Sequence, residues 1–199
     1  DRYNRHKETH SFQALALENE YLRATFLPEM GGRLVSLVWL PLNRELLHRN
    51  PVFQPADLAI RNAWFSGGIE WNLGQYGHTF TTCSPLFAAE IRGPKGEPGL
   101  RMYEYERCKQ IFWHIDFFLP PGQPFLTAYV RAVNPRDVET SIYWWTNIAV
   151  NEGPDVRVLA PAEHAVYIDV DGSTHSFGYT TLPGLPSLKG KDGTYSTNS

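Results

Sequence analysis

The feature that most constrains this chain is the shortness of its apolar runs. They are β-branched and aromatic, and each is soon cut by Gly, Pro or a polar pair. Almost nowhere do apolar residues recur at the three-to-four-residue spacing that builds one face of a helix. "PADLAIRNAW" over 55–64 offers at most one short helical turn. Many short strands at regular spacing, with turn residues between them, predict an all-β fold, an antiparallel sandwich or barrel.

Several strands can be placed. "SFQALALENEYLRATFLP" reads as two segments around a polar "ENE" turn. In the second, Leu22, Ala24 and Phe26 alternate with Tyr21, Arg23 and Thr25, and Pro28 stops the ladder. "GGRLVSLVWL" is a strand led by two glycines, which suggest a bulge or a tight turn. "HTFTTCSPLFAAEIRG" is a further strand, where Pro85 implies an edge or a bulge. "MYEYERC", "IFWHIDFFL" and "FLTAYVRAVN" follow, divided by "KQ" and "PPGQP", then "TSIYWWTNIAVNE". "VRVLAPAEHAVYIDVDG" adds two short strands with "DG" as a hairpin turn. No internal repeat and no domain boundary stands out, so residues 1–199 are expected to form a single β-sandwich domain.

One stretch does not look like an ordinary core strand. "NAWFSGGIEWNLGQYGH" (62–78) mixes aromatic rings and glycines with one acid and one histidine. Glycine weakens a strand but allows close approach of another group. A carboxyl group in apolar company suits proton transfer or acceptance of bonds from hydroxyls. Glu70 and His78 are therefore the candidate catalytic pair. The plainer alternatives are a structural ion pair for Glu70, with Arg61 as partner, and a hydrogen-bonded structural role for His78.

A second stretch, "WWTN" at 144–147, puts Trp145 and Asn147 on one strand face and Trp144 and Thr146 on the other. An indole beside an amide suits a sugar, whose ring faces are apolar and whose rim is hydroxylated. Two core tryptophans are the alternative. In "WHID", His114 and Asp116 share a face, and Glu104 or Glu106 could add a third ligand, but no spacing fixes one. No metal and no cofactor is expected. There is no G-x-S-x-G elbow, no phosphate-binding glycine loop and no C-x-x-C pair.

Composition narrows the partners. The 18 basic and 21 acidic side chains nearly balance, giving a net charge of −3, so no basic field points to nucleic acid or an acidic membrane surface. No apolar run approaches the ~20 residues of a spanning helix. Cys83 and Cys108 form no disulfide framework and leave the compartment open. The chain begins at Asp1 and ends on the polar "KGKDGTYSTNS", with no closing strand. More protein is expected to follow, and a sheet edge left open would favour self-association.

"FLPEMGGRLVSL", "RNPVF", "NAWFSGGIEWNLGQYGHTFTTCSP" and "YWWTNIAV" together resemble a bacterial family of domains of unknown function. That family belongs to the galactose mutarotase-like superfamily and is often fused to tetratricopeptide repeats. The resemblance spans nearly the whole chain. It implies an antiparallel β-supersandwich, of which these residues are the N-terminal part, C-terminally truncated, with a sugar cleft on a concave sheet face. It places Arg61, Asn62, Glu70, Trp71, Asn72 and His78 at the cleft. Where aldose 1-epimerases carry "TNH", this chain has "TNIAV", so Ile148 takes the place of their acid histidine. Their C-terminal base glutamate has no counterpart before residue 199.

Three functions follow as expectations. One is carbohydrate processing, epimerase-like or glycosidase-like, with Glu70 and His78 in proton transfer. Glu152 is the second carboxyl group that a glycosidase needs. Another is a non-catalytic glycan-binding module using Trp71, Asn72, Trp145 and Asn147. The last is an interaction module attached to a repeat protein.

Overall fold

The computed structural model describes residues 6–53, 66–74, 78–151, 164–168, 171–178, 187–188 and 191–192. The chain divides into two compact units, Asp1–Val150 and Asn151–Ser199.

In the first unit the strands are β1 (Leu15–Glu18), β2 (Leu22–Leu27), β3 (Arg33–Trp39), β4 (Arg44–Glu45), β5 (Ile69–Leu73), β6 (Phe87–Arg92), β7 (Pro98–Glu106), β8 (Ile111–Phe118), β9 (Thr127–Val133) and β10 (Trp144–Ile148). They form two antiparallel sheets. One runs β1-β2-β3-β5-β10 with β4 against β3, and the other runs β6-β7-β8-β9. The sheets pack face to face as an all-β sandwich. Phe26 and Trp71 from the first meet Phe117 of the second, with ring centroids 4.6 and 5.2 Å apart. Burying each such ring contributes about 1.5–3 kcal/mol.

Local sequence explains the elements. The "ENE" turn forms because the Asn19 side-chain oxygen accepts the backbone N–H groups of Tyr21 and Leu22, both at 2.9 Å. The alternation of β2 buries Leu22, Ala24 and Phe26 against the second sheet. β3 carries a bulge. Thr25 faces Ser36 and Phe26 faces Leu34, so Val35 has no place in the ladder. After the bulge, Leu37 and Trp39 take over the core face from Leu34. The bulge is thus not at the two glycines, which form the tight turn before the strand. Gly31 has φ 66°, and a Cβ there would lie 2.4 Å from the Thr81 carbonyl oxygen.

In the second sheet, Leu100 and Met102 of β7 and Ile111, Trp113, Ile115 and Phe117 of β8 face inward. The β7–β8 turn is held by buried Glu106, whose carboxylate accepts the N–H groups of Cys108 at 3.1 Å and Lys109 at 2.5 Å. The strand expected across Pro85 starts only at Phe87. Ahead of it, Phe80–Cys83 makes a single 3-10 turn.

β5 corrects the reading of 62–78 as unlike a core strand. It lies inside the first sheet between β3 and β10, and Glu70 through Leu73 are all buried. Its glycines, 67, 68 and 74, flank the strand rather than interrupt it. The possible helical turn at 55–64 lies outside the described residues. The second unit contains two hairpins, β11 (His164–Ile168) with β12 (Thr174–Gly178), and β13 (Ser187–Leu188) with β14 (Lys191–Asp192). The expected "DG" turn joins the first pair, with Gly172 at φ 82°.

Candidate functional site

Strand alternation sorts β5 into two faces. Ile69, Trp71 and Leu73 turn toward the core, and Glu70 and Asn72 turn to the other side of the sheet. β10 runs in register beside it, with Asn147 opposite Glu70 and Trp145 opposite Asn72. On the other flank, Leu34 pairs with Ile69, which sets Arg33 beside Glu70.

Arg33 and Glu70 form an ion pair, Nη2 to Oε2 at 3.2 Å, with each side chain only 3% exposed. Arg33 Nη1 also donates to the Gly67 carbonyl at 2.7 Å. Burial pulls the guanidinium below its ordinary pKa, and the neighbouring Glu70 charge opposes that pull. The other carboxylate oxygen, Oε1, accepts from Asn147 Nδ2 at 2.7 Å. His78 Nδ1 lies at ion-pair distance from the same oxygen, also 2.7 Å. The His78 ring meets Trp145 edge-on, with centroids 4.9 Å apart.

A cavity of about 210 Å³ opens beside Arg33 and Glu70, lined also by Ser66, Gly67, Gly68, Asn147, Ile148 and Ala149. Two of the lining residues, Gly68 and Ala149, belong to a closed triangle of backbone bonds. His48 N–H donates to Ala149, Ala149 to Gly68 and Gly68 to His48, at 2.8, 2.9 and 3.0 Å. Gly68 suits this corner because its φ is +69° and an added Cβ would sit 2.3 Å from the Leu34 carbonyl oxygen.

The structure therefore gathers four of the expected residues, Glu70, His78, Trp145 and Asn147, of which Glu70 and Asn147 line the cavity. It separates two others from the cavity. The Trp71 indole lies in the core and donates to the Gly32 carbonyl at 3.0 Å, so it offers no platform to a ligand. Asn72 is fully buried, and its side-chain oxygen accepts from Thr79 N at 2.9 Å and Thr82 Oγ1 at 3.1 Å. It fixes the turn that follows His78. Arg61, Asn62 and Glu152 lie outside the described residues.

The sequence reading missed Arg33 as a partner of Glu70, and the pairing it offered instead, with Arg61, lies outside the described residues. A signal was present, since Arg33 is the single charge in "GGRLVSLVWL". His114 and Asp116 do share a face, 3.7 Å apart, but Asp116 is committed to Arg101 through two 2.6 Å contacts. Glu104 pairs with Trp113 and Glu106 with Ile111, so both acids lie on the opposite face of the sheet and cannot complete a ligand set.

Residues 1–181 match the model of a domain of unknown function, DUF5107. In fold, the chain is similar to a TPR-domain containing protein from Parabacteroides distasonis, with a TM-score of 0.64 and 20% identity. That alignment covers 85% of this chain and 29% of the other.

Proposed function

Because the chain belongs to the DUF5107 family, the role of the Glu70 cavity has to be read from its own chemistry, and we propose that it binds a small, uncharged, hydroxylated ligand, a single carbohydrate ring. The observation that carries this reading is the buried Arg33–Glu70 pair at the cavity wall. Two opposite charges cancel there, and Arg33 is already shared between Glu70 and the Gly67 carbonyl. A phosphate or carboxylate group gains little from such a wall, while a hydroxyl group finds donors and acceptors on it. The volume of about 210 Å³ is below the ~300 Å³ at which drug-sized sites begin, which suits one ring rather than a chain of rings. The resemblance to the galactose mutarotase-like superfamily supports the same ligand class.

Binding is the better supported part of this reading. Both Glu70 oxygens are already engaged, which favours a fixed acceptor over a carboxyl group free to exchange protons with a substrate.

Saturation-transfer NMR of the 199-residue chain against neutral hexoses and their 6-phosphates tests the proposal. Binding of neutral hexoses, weakened at least tenfold by Asn147→Ala, is the expected result. Preference for the phosphates, or no binding by any sugar, overturns it. The fold similarity to a TPR-domain protein favours a second reading, a non-catalytic interaction module. Under that reading no sugar binds, and Asn147→Ala changes stability alone.

A further inference from the structure

The second sheet turns large apolar side chains away from the core. Strand register puts Phe87, Tyr103, Phe112, Tyr129 and Val133 on its outward face, each between 39% and 60% exposed. They occupy three neighbouring cross-strand rows, so they form one patch rather than scattered single residues. A contiguous exposed apolar patch marks a contact surface.

The charges on that face are few and unequal. Its strands carry no Lys and no Glu, and the one acid, Asp116, is taken by Arg101 through two 2.6 Å contacts. Arg131 stands opposite His114, is exposed, and meets no carboxylate among the described residues. One unpaired cation thus sits in an aromatic patch on a chain whose net charge is −3. On its own strand, Tyr129 and Val133 flank Arg131 two residues to either side, on the same face.

This chemistry selects among occupants. Nucleic acid needs several cations along its backbone, and only one is free here. The Phe87 and Tyr103 rings are 5.4 Å apart with planes 22° from parallel. Rings lying flat side by side would collide at that distance, so these two lean face to face and offer no open platform to a sugar or a base. A second copy would bring the same unpaired cation against this one. An acidic side chain set between apolar ones matches both the charge and the patch, and Tyr, Phe and Arg are the residues enriched where proteins meet.

We propose that the outward face of the second sheet docks a polypeptide partner, whose acidic side chain pairs with Arg131 while the apolar residues around it cover Tyr129, Val133 and Phe112. The face belongs to the sheet that does not hold the cavity, and the proposal does not rest on the carbohydrate reading.

Selection of a random-peptide library on the 199-residue chain, counter-selected on the Phe112→Ser and Arg131→Glu double variant, tests it. Both positions are exposed, and the amide spectrum of each variant checks its fold. The expected result is enrichment of peptides with Asp or Glu between apolar residues, which shift the backbone amides of Tyr129, Arg131 and Val133. Arg131→Glu is expected to weaken them about fivefold, the size of an exposed ion pair, and to favour peptides whose acid is replaced by Lys. No enrichment over the double variant, peptides without an acid, or binding unchanged in Arg131→Glu overturns the proposal. So does oligouridylate or a glucan oligosaccharide shifting the same amides where the peptides do not. Self-association abolished by Phe112→Ser in sedimentation velocity would give the face to a second copy and overturn it as well.

Discussion

Arg33 and Glu70 show how much one buried contact depends on both partners. Each charge has left water, and each is acceptable only because the other is present. Glu70→Ala strands the Arg33 guanidinium and is expected to destabilise the chain by about 3–5 kcal/mol. Arg33→Met combined with Glu70→Leu removes both charges and is expected to recover most of that loss. Urea unfolding followed by tryptophan fluorescence checks both. If the double variant is as unstable as the single one, the pair is not what holds this part of the sheet.

At the scale of elements, the outward face of the second sheet holds a pH-sensitive row. His114 of β8 stands beside Asp116, with Arg101 and Arg131 on the neighbouring strands. Burial, with those two arginines, holds the imidazole below its ordinary value, against the pull of Asp116. A histidine that is harder to protonate in the folded state contributes fully above its unfolded pKa of 6.5 and loses that contribution as pH falls. The urea midpoint is therefore expected to drop on acidification from about pH 7.5 to about pH 5.5 more steeply in the wild type than in His114→Gln. Equal slopes would remove His114 from the account. A strand such as β2 was legible because it alternates apolar and polar residues within itself. β5 was not, because its flanking glycines and central acid made it unlike an ordinary core strand. Arg33 could not be assigned to Glu70 from sequence, because 37 residues separate them and only the β3–β5 pairing brings them together. Asn147 and Trp145 were legible as a shared face, since that needs only the period of one strand. The core position of Trp71 needed the second sheet.

For the molecule as a whole, β10 is an edge strand of the first sheet among the described residues. Its second edge pairs with no described strand, and from Thr140 to Asn151 the chain carries no charge, Gly or Pro. Such an edge accepts another strand readily. Self-association that rises with concentration is the expected behaviour of this chain, reduced by Ile142→Lys with Val150→Lys, two side chains 52% and 47% exposed beside β10. Sedimentation velocity reads it, and a monomer at every concentration would mean that the edge is otherwise covered. The triangle of backbone bonds beside the cavity has a consequence in time as well as in space. Its corners, His48, Gly68 and Ala149, come from distant parts of the chain, and the Asn147–Glu70 bond spans 77 residues. Contacts that close so long a loop form slowly and give little return until neighbouring ones are in place. A molecule seated in the cavity touches both ends of that loop, so it would act as a clasp, slowing the departure of β10 and lengthening the lifetime of the whole sheet.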